Sequence, residues 1–157
     1  MKKLISLLLA VLSFLLLAAC NNMEQEQVST YSFRGVHDYF TISNGSIVLS
    51  GIEEVFDGGD LEVTQSGVFE EAASYTTTFY TLTNGEHRTI LSNSAIDQTG
   101  GAIRVEGDLG KAYGKGLMIG SKVESIDELR ENLWFELKTT DLNGKENVYQ
   151  IQLTLAQ

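Results

Sequence analysis

In two runs near the C-terminus, Leu133 to Leu137 and Tyr149 to Leu155, apolar side chains recur at every second position, a period that fits an extended strand. Tyr149, Ile151, Leu153 and Leu155 fall on one side of such a strand, Val148, Gln150, Gln152 and Thr154 on the other. Leu133, Phe135 and Leu137 repeat the pattern upstream, and Asp141-Leu-Asn-Gly-Lys145 between the two runs is turn chemistry. A hairpin with one apolar face is predicted, and because the chain ends in its core-facing strand, truncation there should unfold it. The same texture begins at Tyr31. Short runs rich in Val, Ile, Thr, Tyr and Phe alternate with Gly, Asn and Asp clusters, as in antiparallel sandwiches and barrels. The expected fold is all-β: an antiparallel two-sheet sandwich of about eight or nine strands with one short helix. A closed barrel is the alternative, since strand number does not decide closure.

The earlier strands are expected at Tyr31 to Val36, with Gly35 as a bulge, and at Tyr39 to Ser43 and Ser46 to Ser50 as a hairpin around Asn44-Gly45. Ile52 to Phe56 and Asp60 to Gln65 should lie either side of Asp57-Gly58-Gly59. A second Asn-Gly hairpin joins Ser74 to Thr83 with Glu86 to Ser92, and Ala102 to Glu106 reads as a further strand. The two Asn-Gly segments look alike, which either an internal duplication or shared hairpin chemistry would explain. Ser125-Ile-Asp-Glu128 has the spacing of a capping box, and Ile126 and Leu129 share a face of the short helix it would start.

At the N-terminus Lys2 and Lys3 precede an apolar run from Leu4 to Leu17, followed by Ala18, Ala19 and Cys20, the only cysteine. A basic start, an apolar centre and a small-residue site are the parts of a secretory signal. The run is shorter than the ~20 residues of a comfortable membrane span. Leu17-Ala18-Ala19-Cys20 resembles a lipobox, so residues 1–20 resemble the signal of bacterial lipoproteins. The Lys-Lys start and Cys-Asn-Asn junction are similar to those of Gram-positive bacteria. The resemblance implies that Cys20 is lipidated on sulfur, that residues 1–19 are removed, and that the protein is held on the extracytoplasmic face of the cell membrane. The remaining domain looks only generally like the small all-β modules that such lipoproteins carry, and no functional residues carry over to it. Residues 20–30 then form a polar tether, Asn21 to Thr30 reaching at most ~33 Å, and residues 31–157 a single domain.

Without Lys2 and Lys3, nine basic residues remain against twenty-one acidic ones, a net charge of −12. Such a surface opposes nucleic-acid binding, which Lys and Arg drive by displacing counterions. It is also repelled by anionic lipid, leaving the lipid on Cys20 as the membrane contact. With that cysteine used, no disulfide is available and packing alone must stabilise the exported domain.

Catalytic chemistry has little to stand on. His37 and His87 each adjoin an acid, yet no free thiol or Gly-x-Ser-x-Gly elbow accompanies them, and two histidines fall short of a zinc site. Gly107 to Gly116 is spaced wrongly for a phosphate loop and reads as a flexible, glycine-rich binding loop carrying Tyr113. Asp57 and Asp60 could bring two carboxylates together, a weak metal candidate, although the spacing of an EF-hand is absent. Trp134 lies on the opposite face of its strand from Phe135, as an exposed aromatic suited to a sugar or protein contact, and Tyr39 and Tyr80 project similarly. Packing of Trp134 beneath a helix carrying Ile126 and Leu129 is the competing arrangement. The expected function is therefore a non-enzymatic binding module without cofactor, for a protein partner or a cell-envelope polymer, with Trp134 and Tyr113 as candidate contacts. A carboxylate- or metal-dependent envelope hydrolase and a structural envelope protein are the alternatives.

Overall fold

A computed structural model describes residues 28–50, 53–118 and 126–156. Two antiparallel sheets face one another and do not close into a barrel, so the sandwich expected from the sequence is the fold. Its strand segments number eleven among the described residues, two of them only two and three residues long. The expected capping serine, Ser125, lies outside the described residues.

The first sheet begins with β1 (Ser29–Val36), paired to β2 (Phe40–Leu49). The far edge of β2 takes two short strands end to end, β3 (Glu54–Asp57) and β4 (Asp60–Val63). Beyond them lie β7 (Gly107–Asp108) against β4 and β8 (Lys111–Gly114) against β3. The second sheet has the order β10-β9-β5-β6, built from β5 (Ala72–Thr83), β6 (Glu86–Ile96), β9 (Leu133–Asp141) and β10 (Glu146–Gln152). Helix α1 (Ile126–Asn132) leads into β9 and buries Leu129. The last strand, β11 (Thr154–Ala156), leaves β10 and pairs with β1, so Leu153 is where the chain passes from one sheet to the other.

The two Asn-Gly dipeptides do different things. Asn84 and Gly85, at φ 53° and 81°, form the expected two-residue turn between β5 and β6. Asn44-Gly45 does not turn the chain back, and β2 runs through it without a hairpin. Asn44 is left-handed at φ 58°, but residues 44–45 stand opposite residues 58–59 with no slip, since Ser43 faces Asp60 and Ser46 faces Asp57. Asp57-Gly58-Gly59 is likewise a break within one line of strand, not the turn of a hairpin. The same level continues outward: Gly58 N–H donates to Gly110 O (2.9 Å) and Leu109 N–H to Gly59 O (2.8 Å). Gly59 and Gly110 are left-handed at φ 71° and 80°. In β1 the ladder slips between Phe33 and Gly35, the bulge expected at Gly35. A crease therefore crosses the first sheet, one kinked residue per strand, as bulges increase local twist and bend.

Beneath the crease lies an aromatic core. Phe33 stacks on Phe56 at 5.1 Å, Phe56 meets Phe79 edge-on at 5.0 Å, and Phe79 approaches Phe135 at 4.9 Å. A side chain at Gly45 would run into the Phe33 ring, and one at Gly59 into the Ser43 carbonyl oxygen. Glycine is needed at Gly45 for closeness of packing and at Gly59 for both backbone angle and space.

Two sequence readings are corrected at the outer edge. Ala102 to Glu106 is not a strand: Val105 is buried but the segment joins no ladder, with Ile103 N–H donating instead to Ala72 O. Gly107 to Gly116 is not a free loop, because β7 and β8 form its length and Leu109 is buried. This edge is fastened to β6 by side chains rather than by a ladder. Asn93 Nδ2 donates to Leu109 O (2.5 Å) and an Arg88 guanidinium nitrogen to Gly116 O.

Candidate functional site

Strand alternation decides which side chains leave the core. On β9, Leu133, Phe135 and Leu137 are buried, so Trp134, Glu136 and Lys138 face outward. Pairing places Trp134 between Gln152 on β10 and Tyr80 on β5. His87 on β6 stacks on Tyr80, ring centres 4.7 Å apart and planes 19° from parallel. Trp134 is half-buried on this outer face and lies outside the core cluster, so it does not pack under α1. Tyr80 is almost fully covered, and burial, with Glu136 nearby, raises its hydroxyl pKa.

The rest of the face mixes neutral polar groups with a few charges and the exposed apolar side chains of Val148 and Ile96. The next row runs Gln150, Glu136, Thr78, Ser92, with Gln150 Nε2 donating to Glu136 (2.7 Å) and the two hydroxyls bonded at 3.1 Å. One row on, Thr76 and Ser94 hydroxyls bond at 2.8 Å, and the Lys138 ammonium pairs with Glu146 at 2.8 Å. The face thus combines one tryptophan, a Tyr–His stack and rows of hydroxyls and amides, with Lys138 paired to Glu146 and Glu136 accepting from the Gln150 amide. Hydrogen-bonding rows beside an aromatic ring offer the paired polar and stacking contacts that hydroxylated polymers or protein loops use.

The structure does not bring Tyr113 to this place. Tyr113 is exposed on β8, continuing a row with Val48 and Val55 across the outer face of the other sheet. Tyr39 sits in the β1–β2 loop against Tyr149 (5.8 Å) and packs on the core edge. His37 stacks on Phe40 (4.8 Å) and its Nδ1 accepts from Tyr39 N–H (3.2 Å), an arrangement that holds the loop. The contribution of His87 was missed from sequence, where it reads as a solvated hairpin residue. Its signal is position alone: two residues past Gly85, it returns across the turn towards Tyr80.

The weak metal candidates have protein partners. Asp57 pairs with the Lys111 ammonium at 2.7 Å, a contact that raises the lysine pKa, and accepts from Gly59 N–H. Asp60 accepts from Asn44 Nδ2 at 2.8 Å. Among the described residues no three His, Cys, Asp or Glu side chains gather as a metal centre would require. No family model, curated protein or solved structure matches this chain.

Proposed function

We propose that the chain is a bacterial lipoprotein, held on the outer side of the cell membrane by a lipid on Cys20, whose sandwich is a non-enzymatic binding module. The anchor rests on residues 1–20, with Lys2 and Lys3, the apolar run and the Leu17-Ala-Ala-Cys20 site. The binding role rests on one observation: Trp134 stands beside the Tyr80–His87 stack on a sheet face that also carries rows of hydroxyls and amides. The partner is a cell-envelope polymer or protein that lies along this face. Its attachment depends on stacking and hydrogen bonds more than on charge, because Glu136 and Lys138 are engaged within the face.

The anchor and the binding face are tested separately. Cys20→Ala should abolish incorporation of labelled fatty acid and leave an unprocessed precursor, and unchanged labelling would overturn the anchor. Binding of the protein to isolated envelope material should be nearly indifferent to salt. Trp134→Ala should weaken it about tenfold or more, as truncating a tryptophan anchor does. Because Trp134 lies outside the core cluster, the variant should still unfold cooperatively. Full retention of binding by the folded variant would remove this face from consideration.

A further inference from the structure

At the end of the sandwich opposite the first residues of β1, the loops gather. Thr64 N–H donates to Tyr39 O (2.9 Å), Leu142 N–H to Glu71 O (3.0 Å) and Ile103 N–H to Ala72 O (2.7 Å), tying four connections together. The Asp97 carboxylate organises one of them, accepting from Thr99 N–H (2.8 Å), the Thr99 hydroxyl and Gly101 N–H. Those bonds hold its pKa below the usual carboxylate range. Between the segment after β4 and the segment before β7 lies a groove of about 350 Å³. Val63, Phe69, Ile103 and Val105 supply its apolar lining, with Glu70 and Glu106 among the residues at its margin. Its one basic residue, Arg104, is 82% exposed and turned onto Glu106.

We infer that this groove is a docking site for a cationic segment of another protein, an apolar side chain seated between lysines or arginines. The apolar lining is too small for a helix face but fits one or two side chains. Charge selects the flanks: Glu70 and Glu106 border the groove, Glu71 adjoins it, and the whole chain carries a net −10. Steering by such a field speeds association with a basic partner and opposes anionic lipid or nucleic acid. The Arg104–Glu106 pair is exposed, and exposed pairs hold weakly, so an incoming cation can displace Arg104 from Glu106. The site is separate from the Trp134 face and does not depend on it.

The test uses the full chain in nanodiscs of zwitterionic lipid, empty discs being subtracted, with a short Lys-Leu alternating peptide as probe. A Lys-Ser peptide and a Glu-Leu peptide serve as controls. The Lys-Leu peptide should bind saturably and weaken as salt shortens the screening length below ~8 Å. Glu70→Lys should weaken binding about tenfold and Arg104→Gln should strengthen it, opposite shifts that a general loss of structure cannot produce. Ser66→Trp, which fills the groove, should abolish binding in a protein that still unfolds cooperatively. Glu131→Lys, on helix α1 at the other end, should change nothing. Absence of saturable binding, equal binding of the Lys-Ser peptide, or equal weakening by Glu70→Lys and Glu131→Lys would each overturn the site.

Discussion

Replacing Gly45 by valine should destabilise the domain far more than replacing Gly85 by valine, although both glycines follow an asparagine. At Gly85 the cost is conformational: φ is 81° and nothing lies within 4 Å of an added Cβ. A left-handed residue bearing Cβ costs ~1–2 kcal/mol. At Gly45 the added carbon meets Phe33, which cannot retreat because Phe56 and Phe79 hold it at 5.1 and 5.8 Å. Overpacking of this kind costs ~1–3 kcal/mol when the surroundings can yield, and more when they cannot. Gly59→Ala should be worse still, since it combines φ of 71° with a clash against backbone. Urea or thermal unfolding would rank the three. Trimming the ring, as in Phe33→Leu with Gly45→Ala, should recover part of the loss, whereas no side-chain change rescues Gly59→Ala. Equal effects at Gly45 and Gly85 would mean that Phe33 does not rest on Gly45.

Ending the chain after Gln152 should abolish cooperative unfolding. Leu153 and Leu155 are 2% and 6% exposed, and burying each contributes ~1.5–3 kcal/mol. Their joint loss is comparable with the ~5–15 kcal/mol by which a domain of this kind is stable. The deletion also removes β11, leaving β1 without its outer partner and cutting the strap that passes from one sheet to the other. Leu153→Ala should account for much of the effect, ~2–5 kcal/mol. Thr154→Ala, on an exposed outward position, should be nearly silent. A truncated protein with a sharp, native-like melting transition would show that the sheets do not need their shared strand.

What the sequence made legible was local. Alternation through Leu133, Phe135 and Leu137 was enough to place the β9–β10 hairpin, but it left Trp134 open between the outward face and a place beneath the helix. Asn84-Gly85 was correctly a turn, and the strands either side of it pair directly across it, down to Thr83 opposite Glu86. Asn44-Gly45 has the same preference for positive φ, and a kink within a strand uses that preference equally well. What decides between the two is Phe33, Gly59 and the continuous line of β3 and β4, none of which is encoded near residue 44. The glycines from 107 to 116 misled for the same reason: Gly107 and Gly110 bend an edge strand rather than free a loop. Ile103 and Val105 alternate as strand residues do, yet the segment holding them finds no partner strand. The groove beside it could not be foreseen, because its lining comes from segments brought together only by the closing of the loops.

The crease also bears on how the molecule behaves beside copies of itself. An unpaired strand edge is a template onto which another chain can add, and proteins that avoid aggregation shorten, bend or cover such edges. This chain has no proline to interrupt an edge. The crease supplies the interruption instead, splitting the outer strand of the first sheet into pieces of two and four residues with Gly110 bent between them. The opposite edge strand, β11, is three residues long and covers Ser32 to Arg34 of β1. The longest edge, the eleven residues of β6, is spanned by Asn93 and Arg88 reaching across to the broken strand. For molecules crowded side by side on a membrane, as the proposed anchor would hold them, the same kinks that seat Phe33 over Gly45 leave the first sheet a broken outer edge onto which a neighbouring strand cannot pair at length.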